Sequence, residues 1–281
     1  MMLRRRGLMT AALLIGAPAA AGAGAMVTDA QGQAAVEGGA RLAVLAEVAP
    51  GSRLRLAGGA RLVLLFLASG DEFALKGPGR FEVGAAEVRA VEGATPQKRA
   101  LPVAALQAPR VRAGEVAQAT LVMRSIQVDI APEPIEPHRT RVFTTRPSFR
   151  WSSVPETTGY RFVLIDRGGE TVFESELPAT ELVLPESLVL EEGADYSWSI
   201  EALPPGKRRR LATGEFAVID AEQRAAIERL RPGAKSSFAD RVAFALLLEQ
   251  VEAHDAARAE WRRLAAERSG DKNLKARAAS R

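Results

Sequence analysis

Cysteine is absent from the 281 residues, and histidine occurs only as His138 and His254. The first absence excludes disulfides, thiol nucleophiles and thiolate metal sites. The second leaves almost no material for a multi-histidine metal centre or a histidine-based catalytic network. Also missing are a G-x-S-x-G nucleophile elbow, an H-E-x-x-H helix, a phosphate-binding loop and a dinucleotide fingerprint. Acid pairs exist at Glu191/Glu192 and Glu133/Glu136. Neighbouring strand or loop carboxylates project to different faces, however, and nothing brings a second acid within reach for glycosidic chemistry. The expectation is a non-enzyme with no cofactor and no metal site.

What is present describes a globular chain, 47% hydrophobic and 26% charged, long enough for one large or two small cores. Residues 1–25 begin with Arg4, Arg5 and Arg6, continue through an apolar stretch from Leu8 to Ala17, and end in small residues. The A-x-A spacing recurs at Ala19/Ala21, Ala21/Ala23 and Ala23/Ala25. That is the layout of a secretory signal peptide, and the Arg5-Arg6-Gly7-Leu8-Met9 run loosely resembles a twin-arginine signal. Residues 7–26 are uncharged and nominally long enough to span a bilayer, but Ala and Gly dominate them and Pro18 interrupts them. Cleavage is expected over anchoring, with no membrane span in the mature chain. With no cysteine after the apolar stretch, a lipoprotein is not expected. The address is the bacterial periplasm or the exterior.

Removing this leader changes the charge. The full chain holds 38 Lys+Arg and 34 Asp+Glu, and residues 1–25 take away three Arg and no acid, leaving 35 against 34, or +1. Residues 268–281 hold five basic residues and one acid, or +4, so everything between them carries −3. Basic character belongs to the two ends, and no nucleic-acid partner is expected.

From residue 36 to 130 the sequence is rich in Val, Leu and Gly. Arg53-Leu54-Arg55-Leu56 alternates polar and apolar like a half-buried strand, whereas Leu62 to Leu67 is continuously apolar, like a strand covered on both faces. Pro50-Gly51-Ser52, Gly58-Gly59, Ser69-Gly70-Asp71 and Gly77-Pro78-Gly79 punctuate the runs, and the spacing predicts a small β-sandwich or roll. Gly39-Ala40-Arg41-Leu42 is echoed by Gly59-Ala60-Arg61-Leu62, which reads as two similar hairpin strands. Gly51-Ser52-Arg53-Leu54-Arg55-Leu56 and the run Gly70-Asp71-Glu72-Phe73-Ala74-Leu75-Lys76-Gly77-Pro78-Gly79-Arg80-Phe81-Glu82-Val83 resemble the strand-and-turn patterns of the periplasmic FecR-type β domain. The resemblance covers residues 36–95 and implies an extracytoplasmic β domain of the kind that passes signals inward. Upstream of it stands only the leader, without the family's cytoplasmic anti-sigma region.

Residues 131–140, with three prolines and two glutamates in Ala131 to Pro137, read as an extended linker, and His138 reads as a solvated residue beside it. Residues 141–220 carry strand patterns at Pro147 to Trp151, Tyr160 to Ile165, Thr171 to Phe173, Glu181 to Leu184, Tyr196 to Ile200 and Glu215 to Val218. Arg167-Gly168-Gly169 closes a hairpin. The approach Leu190-x-x-Gly193-x-x-Tyr196 resembles the tyrosine corner of Greek-key sandwiches. The whole stretch resembles a fibronectin type III or immunoglobulin-like sandwich without the disulfide. Trp151 and Trp198 fit its core better than a sugar-stacking platform.

Between the last two strands stands Lys207-Arg208-Arg209-Arg210, a candidate polyanion contact or a solvated hairpin tip. Residues 221–267 read as helical. Asp220 and Ser237 are N-caps, Pro232-Gly233 is a stop, and Val242, Phe244, Ala245, Leu248 and Val251 form an apolar stripe. Ala257, Trp261 and Leu264 form the facing stripe. The pair resembles a single tetratricopeptide unit, with Arg241 where the usual first aromatic stands. One such unit cannot bury its own face, so it must pack on the sandwich, on a second copy or on another protein. Residues 268–281 read as a disordered basic tail.

The fold class expected is mainly β: two small β domains followed by an α-helical hairpin. The function expected is an exported, non-catalytic, modular envelope protein that binds another envelope protein or cell-wall polymer, with Lys207, Arg208, Arg209, Arg210 and the face around Trp261 as candidate contacts. A sensory accessory to a membrane signalling complex and a carbohydrate-binding or carbohydrate-active protein are the alternatives.

Overall fold

The computed structural model of the protein describes residues 24–101, 132–203 and 210–280. The expected leader therefore lies outside the described residues except at its last two positions. The first β unit comprises β1 (Ala25–Gln31), β2 (Ala34–Val36), β3 (Glu47–Val48), β4 (Arg53–Leu56), β5 (Arg61–Phe66), β6 (Asp71–Lys76), β7 (Gly79–Val83), β8 (Val88–Glu92) and β9 (Gln97–Ala100). They pair into two antiparallel sheets, ordered β3-β1-β5-β6-β9 and β2-β4-β7-β8. Alternation decides the inward residues: Leu54 and Leu56 of β4 are buried between exposed arginines, and Phe81 and Val83 of β7 face the same core. In β5 the continuous apolar run has the consequence expected of it. Leu62, Leu64 and Phe66 enter the core between the sheets, while Leu65 joins a second core on the opposite face.

Gly77 and Pro78 form a corner that carries the chain from β6 in one sheet to β7 in the other. A Cβ at Gly77 would lie 2.0 Å from the Ala57 carbonyl oxygen, so only glycine fits where the backbone passes so close. Two sequence expectations need correcting. The unit begins at β1, with Ala25 paired to Phe66, because β1 is the strand against which both β3 and β5 bond. The first copy of the echoed Gly-Ala-Arg-Leu motif is no hairpin strand. It makes only an isolated bridge between Ala35 and Arg41, whereas the second copy enters β5.

The second unit contains β10 (Pro134–Glu136), β11 (Thr140–Val142), β12 (Ser148–Trp151), β13 (Tyr160–Asp166), β14 (Thr171–Leu177), β15 (Glu181–Val183), β16 (Asp195–Ala202) and β17 (Arg210–Val218). One sheet is ordered β10-β12-β15 and the other β11-β17-β16-β13-β14, with β11 parallel to β17. Three strands β10-β12-β15 facing β17-β16-β13-β14, with consecutive strands crossing between the sheets, is the Greek-key order of a fibronectin III-like sandwich, and β11 adds a parallel edge to the second sheet. Its core is aromatic: Phe149 meets Phe162 edge-on at 4.8 Å, and Trp151, Tyr160, Trp198 and Phe216 surround them. The Tyr196 hydroxyl accepts the Glu191 N–H at 2.9 Å, which closes the expected tyrosine corner. Residues 131–140 are more than a linker. β10 hydrogen-bonds along β12, because an edge strand tolerates Pro134 where a central strand does not. His138 is half-buried, and burial first and the Arg139 charge second hold its pKa below the usual range.

Four helices follow among the described residues: α1 (Ala221–Arg229), α2 (Phe238–Gln250), α3 (His254–Glu267) and α4 (Lys272–Ala279). Asp220 caps α1 by accepting the Gln223 N–H at 2.8 Å. Ser237 and Asp240 form both halves of a capping box at α2. Helix α2 is apolar nearly all round, so it is buried on more than one side. It lies against the outer face of the first β unit, and Val242, Phe244, Leu248, Trp261, Leu264 and Leu274 share one core with Val44 and Leu65. Ile219, just after β17, and Ile227 of α1 enter the same core. The start of α3 meets β11, where the Arg141 N–H donates to the Glu252 carbonyl at 2.9 Å.

The helical layer thus seals the first unit and abuts the second. The expected disordered tail is corrected as well. Residues 272–279 form α4, capped by Asp271, because Leu274 is fully buried and the Asn273 amide donates to the Val44 carbonyl at 2.8 Å.

Candidate functional site

The predicted contact residues do not converge. Lys207, Arg208 and Arg209 lie outside the described residues, and Arg210 opens β17 opposite Ala202. Trp261, expected on an exposed helical face, is 1% exposed. Its indole N–H donates to Glu249 Oε1 at 2.8 Å, and its ring is packed in the helical core. The reason is the one that made the hairpin unstable alone: its apolar face needed a cover, and the outer face of β1 and β5 supplies it. Trp151 and Trp198 are equally buried, and the Trp198 N–H donates to the Pro137 carbonyl at 2.8 Å. No sugar-stacking platform exists at these two rings. Among the described residues there is no cluster of three metal-ligating side chains, and no helix long and apolar enough to cross a membrane.

The site that the folding does create lies where the end of β9, the α1–α2 connection and the first half of α2 meet. Three pieces of sequence reach it for separate local reasons. Pro232-Gly233 stops α1 and turns the chain, leaving Arg229, Leu230 and Arg231 at its last turn. The Ser237–Asp240 box starts α2 at a defined point, so Asp240, Ala243, Phe244 and Leu247 follow on one face at helical spacing. Strand β9 then delivers Arg99, and the residue just after the strand, Leu101, beside them. Together these residues, with Pro232 and Ser236, line a cavity of about 270 Å³.

A charged bridge fixes this junction. Arg99 Nη2 donates to Glu72 Oε1 at 2.8 Å and also to Asp240 Oδ1, so β6, β9 and α2 are held through one guanidinium. Glu72 is buried on β6, and burial pushes its carboxyl up despite the attraction of Arg99. Asp240 goes the other way. Burial acts to raise it, but hydrogen bonds from Arg99 and Ser237 together hold it below the usual carboxylate range. Asp240 Oδ2 accepts both the Ser237 N–H and the Ser237 hydroxyl at 2.8 Å, so both carboxylate oxygens are engaged. On the other wall, Arg231 grips Glu228 through Nε and Nη2, both at 2.6 Å, and its guanidinium lies 5.3 Å from the Phe244 ring centroid. Arg229 is exposed and, among the described residues, spends only Nε, on the Ala225 carbonyl at 3.3 Å.

Chemically, the lining offers apolar and cationic contacts. The Ser237 hydroxyl and the Asp240 carboxylate are committed to capping, and no histidine lines the cavity. The floor of Leu101, Leu230, Ala243, Phe244 and Leu247 is apolar, and the rim of Arg99, Arg229 and Arg231 is basic. Sequence reasoning missed it because its parts are separated by more than a hundred residues. The usable signal was the Arg229-Leu230-Arg231-Pro232 run, in which basic residues flank a helix stop, where positive charge favours the helix dipole anyway.

No known protein family matches the chain, and no curated protein does. Among solved structures, the fn3 domain of human collagen alpha-1(XX) chain is similar at 17% identity and a TM-score of 0.28, covering 41% of this chain and 93% of that one. The assignment of the second unit rests on its strand order and tyrosine corner.

Proposed function

We propose that the chain is an exported, non-catalytic, modular protein of the bacterial envelope. It combines a FecR-like β domain with a fibronectin III-like sandwich, locked together by a helical layer, and serves as a scaffold that binds another envelope protein. The leader-like residues 1–25 support the address, and the Gly51 to Leu56 and Gly70 to Val83 runs support the FecR-like reading. The observation that carries the binding role is the cavity at the β9–α2 junction: an apolar floor under an arginine rim, on surface built from separate elements. Because the hairpin face around Trp261 is covered, this cavity replaces it as the contact.

The test is mild crosslinking and affinity recovery of the tagged chain from native envelopes, with Arg229→Glu as the comparison. Arg229 is exposed and makes no ion pair among the described residues, so its reversal alters the rim without disturbing packing. Recovery of one protein partner by the native chain and its loss with Arg229→Glu supports the scaffold. Equal recovery by both, or recovery of glycan alone, overturns it and returns the search to the two β units.

A further inference from the structure

We infer that the cavity at the β9–α2 junction takes an acidic peptide segment of a partner protein, one carboxylate beside one bulky apolar side chain. The inference rests on the reading of that cavity as the binding site. Three observations fix the chemistry.

The first is size. At about 270 Å³ the cavity falls just below the range of about 300–1,000 Å³ typical of sites for drug-sized ligands. It accommodates one large apolar side chain with its stretch of backbone. The second is the floor. Leu101, Leu230, Phe244 and Leu247 offer dispersion contacts and no hydrogen bonds, which suits a leucine-like or phenylalanine-like group. The Arg231 guanidinium already lies against the Phe244 ring, and this leaves little aromatic face for stacking a sugar.

The third is the imbalance of hydrogen-bonding groups at the rim. Arg99 uses Nη2 for both of its carboxylates, Arg229 uses only Nε, and Arg231 leaves Nη1 outside its grip on Glu228. Each therefore keeps guanidinium N–H groups that no other described residue engages. The one acid on the rim among the described residues, Asp240, has both oxygens occupied. The rim is rich in donors and short of acceptors, so the complement must bring anionic oxygens. A planar guanidinium fork matches a carboxylate in two-point contact. An acidic side chain next to an apolar one satisfies rim and floor together.

The experiment is fluorescence polarisation with the purified full chain and a fluorescein-labelled hexapeptide amide containing one Leu-Glu pair among Gly and Ser. Two further probes replace Glu by Gln or Leu by Gly. The expected result is binding of the first probe, weakened about tenfold or more by either replacement and by Arg229→Glu in the protein. Arg229→Lys is expected to retain part of the binding, since it keeps the charge but loses the fork. The thermal melt of each variant establishes that it is folded. Equal binding of all three probes, absence of binding, or binding untouched by Arg229→Glu each overturns the assignment. If no probe binds yet envelope recovery still depends on Arg229, the peptide class falls and the cavity stands as the site. If envelope recovery ignores Arg229, the reading of the cavity itself falls.

Discussion

Asp255 lies in the first turn of α3 at the seam between the helical layer and the sandwich. Its N–H donates to the Thr140 hydroxyl at 3.2 Å and its carboxylate accepts from Arg258 at 3.1 Å. Burial, and then the nearby Glu136 charge, push its pKa up to about 6, while Arg258 and Arg150 pull the other way. The folded chain therefore holds this proton more tightly than the unfolded chain does. Stability from this group rises as pH falls from about 6 toward 4, and the penalty is fully present above 6. Asp255→Asn removes the penalty and also weakens the contact with Arg258. A shift of this size corresponds to at most about 3 kcal/mol, so a gain of about 1–2 kcal/mol is expected at pH 8, shrinking to nothing near pH 4. Denaturant titrations of both proteins at the two pH values check this, and a pH-independent difference refutes it. Trp261 sets the opposite expectation. Buried as it is, Trp261→Ala should cost about 3–5 kcal/mol, against less than about 0.5 kcal/mol for an exposed side chain.

At the scale of elements, each start and stop has an identifiable cause that can be removed. Ser237 accepts the Asp240 N–H at 3.1 Å, and Ser237→Ala should lower stability by about 1 kcal/mol while also loosening the Asp240 contact with Arg99. Between β16 and β17, Gly214 stands opposite Trp198, and a Cβ there would lie 2.4 Å from the indole nitrogen. Gly214→Ala must displace that ring or the strand. The expected readout is a loss of near-ultraviolet circular dichroism from the aromatic core, together with a lower melting temperature. Preservation of both would show that the strand pair yields at no cost. Helix α4 is short, and a helix of that length is marginal alone, so its order depends on docking. Leu274→Ala should cost about 2–5 kcal/mol and release α4 first, seen as faster hydrogen exchange across residues 272–279 than across α2.

At the scale of the molecule, the helical layer is a structural part of the first β unit. Val44 and Leu65 of that unit share a core with Phe244, Trp261 and Leu274, and Arg268 of the α3–α4 junction reaches back to the buried Asp29 at 2.6 Å. A chain ending at Asp220 would expose that apolar face to water. It is expected to bind a hydrophobic dye strongly and to aggregate, whereas the full chain does not. For the same reason, calorimetry of the full chain should show the helices melting together with the first β unit. Separate early melting of the helices would contradict the shared core.

Much of the local architecture was legible because local physics dictates it. Alternation marked β4 and β16; a glycine pair marked the β13–β14 hairpin; and the caps at Asp220 and Ser237 stand where the pattern placed them. Even the two-sided cover of β5 was readable, since a strand exposed on one face would not carry five consecutive buried apolar residues. The elements that sequence reading misjudged share one property: their order depends on distant partners. β1 fell before the expected start of the first domain, β10 looked like linker and α4 like a loose tail, because the pairing and burial that stabilise them come from β5, β12 and Val44. The cavity belongs to the same class. Its arginines and its apolar floor are ordinary residues in sequence, and neither pattern nor propensity links Arg99 to Asp240. What the chain determined on its own was where each strand and helix forms and which face is apolar, since those follow from neighbouring residues. Which apolar faces cover one another, and hence which surface remains open with an arginine rim, was decided by tertiary packing, because long-range burial rewards only the assembled arrangement.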